Sequence, residues 1–479
     1  MEEDYKFGDE KENNDGLSGL LKHFDAKNGE SNQITENDVS ILLGLVSQLQ
    51  QSISDGDITA ITSILDEFNQ ALVYNPEKVA KILDFDEFYS EIAKSLVTLT
   101  GTEDVLQIFR LSYNILISLP NRQEFFSSIF ESAINECQNT EITEIYSWCS
   151  KLIFAFISNV EDNQDNLDVL EIRNAAIQCL DFSEEEIENG SKIYEYIIKH
   201  CNPKILKYMM FKDFRDFILH ENLSQTAMLR ILNAIIMYLS NYPDGLQEFD
   251  RNNLFPVIRD RFLDTKSQEG EFECDIILLQ SYLRLVDNLI NISDGNTGRM
   301  YYELADLPQF NYFFTEYDES KEGIIGILLQ IHSRAINNMK SDRNFSQQVL
   351  SNIPLEDIMN IQGLFTMKCI IVKFISVYAR NFQQLVEPQN FYNFLLEYSE
   401  FLEEVDCETD HLISYLTILH IVLNNLQKDE FRETYINDLV ENGIYEKLMD
   451  LYYDASDSVV EYVGIVLKYF PEEDEEDKP

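Results

Sequence analysis

The chain has 479 residues, 45% of them hydrophobic and 12% aromatic, with 85 Asp and Glu against 36 Lys and Arg and a formal net charge of −49. This is too long for one compact core. It also lacks the clustered basic surface that a nucleic-acid backbone or an anionic membrane attracts, so direct nucleic-acid binding is not expected, and a partner selected by charge would be basic.

Residues 1–32 are polar and acidic and read as a mostly disordered extension with a short helical stretch over 17–24. The first clear helix is DVSILLGLVSQLQQSI; SDGD stops it and ITAITSILDEFNQALV follows. From there an apolar helical phrase ending in a polar break recurs about every 44 residues. The last strongly apolar residues before the breaks are Leu72, Ile117, Ile157, Ile198, Leu239, Ile290, Ile336, Val377, Leu423 and Leu467. Several breaks are rich in Asn and Ser, such as SNV, SNYP, NNM, YARN and NNL. Pro76, Pro120, Pro203, Pro243 and Pro471 fall three to five residues after an anchor, where a helix must end. EDNQDNLD (161–168), DFSEEEIENGS (181–191) and DTKSQEGEFECD (264–275) read as loop insertions. PEEDEEDKP (471–479) reads as an unfolded acidic tail.

Helical repeats near this period cannot bury their apolar faces singly and must stack. The expectation is therefore an all-α, right-handed armadillo/HEAT-like α-solenoid of about ten repeats over 33–470. No run approaches a membrane span, and the N-terminus has no secretory pattern. The seven cysteines are odd in number, widely spaced and without C-x-x-C, the usage of reduced thiols in the cytosol or nucleus.

No catalytic constellation emerges. The histidines lack metal-pair spacing: His411 and His420 stand nine apart and no H-E-x-x-H occurs. No G-x-S-x-G is present. SDGNTGR (293–299) lacks the phosphate-cradle lysine, and DGD (55–57) is too short for a calcium loop. No catalytic, cofactor-binding or metal residue is assigned, and the chain is expected not to be an enzyme. Candidates for contacting a protein or peptide partner are cations and tyrosines in the last helix of each unit: Arg110, Tyr113, Tyr146, Lys151, Arg230, Tyr282, Arg284, Arg334, Lys373 and Tyr415. In EIYSWCSKLIFAFI, Trp148 shares a side with Ile145 and Leu152 and is expected to pack between units.

The segments ILNAIIMYLSNYPDGLQEFDRNNLFPVI and ILHIVLNNLQKDEFRETYINDLVENGIYEKLMDLYYDASDSVVEYVGIVLKYF resemble armadillo repeats, in which a long third helix ends in an Asn/Ser-rich break. The layout, with an N-terminal extension and a last unit running into VLKYFPEEDEED, also resembles importin-alpha, a nuclear-import adaptor for basic cargo. The Trp-x-x-x-Asn ladder of that family is absent, since four residues after Trp148 stands Leu152, and the only Lys or Arg in the first 32 residues are Lys6, Lys11, Lys22 and Lys27. The expected function is a non-enzymatic scaffold binding a partner segment along a solenoid surface. The alternatives are an importin-alpha-like adaptor for basic cargo and a HEAT-type assembly or chaperone subunit.

Overall fold

The computed structural model describes residues 36–99, 101–159, 168–200, 209–263, 275–339, 343–403, 409–426 and 431–471. The expectations for 1–32, for the loops at 161–168 and 264–275 and for the acidic tail fall almost wholly outside these residues. Among them the chain is helical throughout, with no strand. It divides into two compact units, 1–234 and 235–479.

Every anchor lies within the last five residues of an α-helix. These helices are α1 (Ile58–Tyr74), α2 (Thr102–Ser118), α3 (Thr143–Ser158), α4 (Glu184–His200), α5 (Gln225–Asn241), α6 (Ile276–Ile292), α7 (Glu322–Met339), α8 (Phe365–Asn381), α9 (Thr409–Asn425) and α10 (Asp457–Leu467). The boundary between the units falls inside α5. In unit 1, α1 packs on α2, α2 on α3 and α3 on α4. In unit 2, α6 packs on α7, and so on through α10. Shorter helices flank this series in each unit. Pro76, Pro120 and Pro243 each open a short helix directly after an anchor helix. There the missing N–H costs nothing, because the first turn has no intrahelical acceptor for it.

An anchor helix is buried on most of its circumference. In α3, Ile145, Cys149, Leu152, Ile153 and Phe156 are all core, as the spacing predicts. What remains is one outward stripe, formed in α3 by Trp148, Lys151 and Phe154, recurring at three residues as a helix face must.

The Asn-rich breaks have a physical cause. The last carbonyls of a helix lack intrahelical partners, and asparagines at the end of a neighbouring anchor helix reach such a carbonyl, the turn that follows it, or an asparagine of its last turns. Asn159 Nδ2 donates to the Leu116 carbonyl at 3.3 Å. Asn425 Nδ2 donates to the Gln383 and Val386 carbonyls at 2.8 and 2.9 Å. Asn114 Nδ2 donates to Asn69 Oδ1 at 3.3 Å, and Asn381 Nδ2 to Asn337 Oδ1 at 3.4 Å. The polar break is thus a cross-link between consecutive anchor helices within a unit as well as a helix end.

One loop expectation is corrected. Residues 184–191 of DFSEEEIENGS open α4 rather than forming an inserted loop. Ser183 donates its hydroxyl to the Glu186 carboxylate across the first turn, and its carbonyl accepts from the Ile187 N–H. Gly190 lies inside α4 because a Cβ there would stand 2.4 Å from Cys179 Sγ and 2.7 Å from the Ala176 carbonyl. Only a residue without a side chain lets α4 approach Val169–Ile177 this closely.

Candidate functional site

Outward stripes of α2–α5 meet in an open cleft of about 830 Å³ on unit 1. Tyr113 comes from α2, Lys151 and Phe154 from α3, and Arg230 from α5. The floor is α4, whose Glu185, Glu188, Lys192, Glu195 and Lys199 follow one another at three or four residues. Beside the cleft, the Arg110 guanidinium and the Lys151 ammonium each lie 5.1 Å from the centre of the Trp148 ring. The edge of Tyr113 meets the same ring at 5.7 Å. At the other end Phe154 and Tyr196 stand edge to face at 6.3 Å, and Tyr196 stacks on His200 at 4.3 Å.

The polar groups are partly committed. Lys151 pairs with Glu185 at 3.0 Å. Ser224 donates to Glu188 Oε1 at 2.7 Å, and Arg230 to the Glu188 backbone carbonyl at 3.3 Å. Burial holds the Lys192 ammonium below the usual lysine range, and the nearby Arg230 and Lys151 charges push the same way. Burial raises the Glu195 carboxyl against the pull of Arg230 and Lys199. Asn189 is only 6% exposed, and its Nδ2 has no hydrogen-bond partner among the described residues.

Of the ten candidates, Arg110, Tyr113, Lys151 and Arg230 gather at this cleft and its Trp148 border. Three tyrosines are corrected: Tyr146, Tyr282 and Tyr415 are fully buried and offer nothing to a partner. The Tyr146 hydroxyl donates to the Ala175 and Ala176 carbonyls, each at 3.2 Å. Tyr415 donates to the Leu395 carbonyl at 2.7 Å. Tyr282 stacks on Phe262 with ring centres 4.4 Å apart. A ring whose hydroxyl finds a backbone acceptor in a flanking helix can be core despite polar sequence neighbours. The other three candidates belong to unit 2: Arg284 and Lys373 are exposed, and Arg334 pairs with Asp287 at 2.7 Å.

Trp148 packs against the neighbouring anchor helix through Tyr113, as expected, but it is half-buried and belongs to the outward stripe. Sequence reading missed Lys192, Lys199, Asn189, Phe154 and Tyr196. Four of these lie in α4, whose start read as an acidic loop; the three-to-four spacing from Glu185 to Lys199 was the available signal.

Among the described residues no group of three or more His, Cys, Asp or Glu side chains is placed to hold a metal ion, and no helix is long and apolar enough to cross a membrane. No family model matches the chain, and no curated protein matches it significantly.

Proposed function

We propose that this chain is a non-enzymatic interaction scaffold, a right-handed armadillo-like solenoid of about ten repeats that holds an extended segment of a partner protein across α2–α5. The observation that carries this reading is the cleft of about 830 Å³, crossed by successive anchor helices and bordered by Trp148, Phe154 and Tyr196. Packed helices lie about 8–10 Å apart, so a groove over four of them runs roughly 30 Å, the length of about nine extended residues. Amphipathic rings beside cations are the side chains that supply most binding energy at protein interfaces. The carboxylates are strung along one face of α4, and two already hold Lys151 and Ser224, an arrangement suited to positioning rather than to acid–base turnover. In this reading the compartment is the cytosol or the nucleus, where the buried thiols of Cys137, Cys149, Cys179 and Cys369 stay reduced.

The test is a photo-crosslinking amino acid in place of Phe154, compared with the same group in place of Tyr453, a 75% exposed tyrosine of unit 2. The expected result is a discrete crosslinked protein at position 154, mapped to one continuous segment. Equal labelling from both positions would sink the scaffold reading.

A further inference from the structure

We propose that the unit 1 cleft takes an acidic extended segment of another protein, with carboxylates meeting Lys151, Lys192 and Arg230 and an apolar or aromatic side chain seated beside Phe154 and Tyr196. This rests on the scaffold reading above and names the chemistry of the partner. It also reverses the sign that the net charge of the whole chain suggests.

Acidic residues outnumber basic ones 85 to 36 over the chain. The cleft inverts that ratio, with Lys151, Lys192, Lys199 and Arg230 facing Glu185, Glu188 and Glu195. The carboxylates do not neutralise these cations one for one. Glu188 gives one carboxylate oxygen to the Ser224 hydroxyl, and the hydrogen bond from Arg230 goes to a neutral carbonyl. Lys192 is half-buried, and burial and the Arg230 and Lys151 charges outweigh the opposing pull of Glu188 and Glu185, a cost that a further carboxylate placed among Lys151, Lys192 and Arg230 reduces. Asn189 provides an independent indication: it is a lining residue of the cleft, and its buried Nδ2 lacks an acceptor among the described residues. A peptide carbonyl or carboxylate supplies one, and a buried donor left unmade is expensive.

The anion is a peptide rather than a nucleic acid. A phosphodiester chain carries a charge at every residue and would set phosphates against Glu185, Glu188 and Glu195. A peptide places its carboxylates selectively and offers backbone N–H groups to those glutamates. A lysine-rich segment would meet the cations head on.

Trp148 is the only tryptophan in the chain and touches the cleft through Lys151, so its emission reports on this site. The full-length protein is titrated with a glutamate-rich peptide carrying phenylalanine, with its lysine-rich counterpart, and with an oligothymidylate of equal length. The acidic peptide is expected to change Trp148 emission saturably at low salt and less at high salt. The double variant Lys151→Gln/Lys192→Gln, with an unchanged thermal transition, should weaken it by about tenfold or more. A response to the lysine-rich peptide or the oligothymidylate alone overturns the proposal, as does acidic-peptide binding that the double variant leaves unaltered. Tighter acidic-peptide binding by the full chain with Glu2, Glu3 and Asp4 changed to Gln or Asn would identify its own N-terminus as the occupant, and this also overturns it. The two readings fail separately. A crosslinked segment at position 154 that is basic removes the acidic chemistry and keeps the scaffold, whereas peptide binding without any crosslinked protein does the reverse.

Discussion

The two units use the same helix series and treat buried charge and outward stripes differently. Unit 1 buries an ion pair: Asp213, 2% exposed, accepts from Arg173 Nε at 2.7 Å and also from the Tyr194 hydroxyl. Unit 2 meets a comparable depth with neutral groups, the His332 ring against the Tyr302 hydroxyl at 3.0 Å. On the surface, the unit 1 stripes stand apart as a charged cleft. In unit 2, Gln280 lies across α7 at Gly323, where a Cβ would be 2.6 Å from its Nε2, and Arg334 is held by Asp287. The repeat fixes where the core lies. The stripe residues, free of that demand, distinguish one stretch from another.

The sharpest way to break this comparison is to remove the arginine paired with Asp213. Arg173→Met leaves a buried carboxylate with only a tyrosine hydroxyl and should cost unit 1 about 3–5 kcal/mol. Urea unfolding together with hydrogen exchange over 169–219 reads the loss. A change within a few tenths of a kcal/mol would mean that water or another cation compensates Asp213.

Acid probes the buried histidine of unit 2. Burial lowers the His332 pKa from 6.5 to about 4. Below pH 6.5 the unfolded chain takes a proton that the folded state refuses until about pH 4. The stability due to neutral His332 is therefore full above 6.5 and is lost as pH falls towards 4. At pH 5 this amounts to about 2 kcal/mol. Comparing unfolding at pH 7 and pH 5 for the native chain and His332→Leu isolates it. The variant should lose less stability over this interval; equal losses would show that His332 does not titrate as its burial requires.

How far the sequence discloses the molecule follows from the same division. Anchor positions are legible because a helical apolar pattern stops where its helix stops, and all ten fall near helix ends, although Ile117 itself is exposed. Tyr146, Tyr282 and Tyr415 were not legible as core, because their burial depends on carbonyls or rings of helices distant in sequence. The start of α4 looked like a loop because its first turn is acidic, although acidic side chains favour a helix N-terminus. The cleft was half legible: cations in last helices pointed to Arg110, Lys151 and Arg230, whereas the basic excess of the site vanishes in a whole-chain charge of −49.

The smallest effect tests the feature both units share. Asn425 Nδ2 bonds the Gln383 and Val386 carbonyls of the preceding repeat, and Asn159 does the same for Leu116 in unit 1. Asn425→Ala takes the side-chain donor from the Val386 carbonyl and leaves the Gln383 carbonyl only its bond from the Val386 N–H, whereas Asn159→Ala takes the donor from the Leu116 carbonyl. Asn425 is only part-buried, so water can reach part of the vacated space, and the loss should be about 1–2 kcal/mol for Asn425→Ala and about 1 kcal/mol or less for Asn159→Ala. Asn425→Asp is the finer test: it keeps the shape but presents a carboxylate oxygen to two carbonyl oxygens, so it should destabilise at least as much as Ala. If thermal unfolding ranks Asp above Ala, the asparagines merely mark the helix ends, and the cross-link between repeats is carried by apolar packing alone.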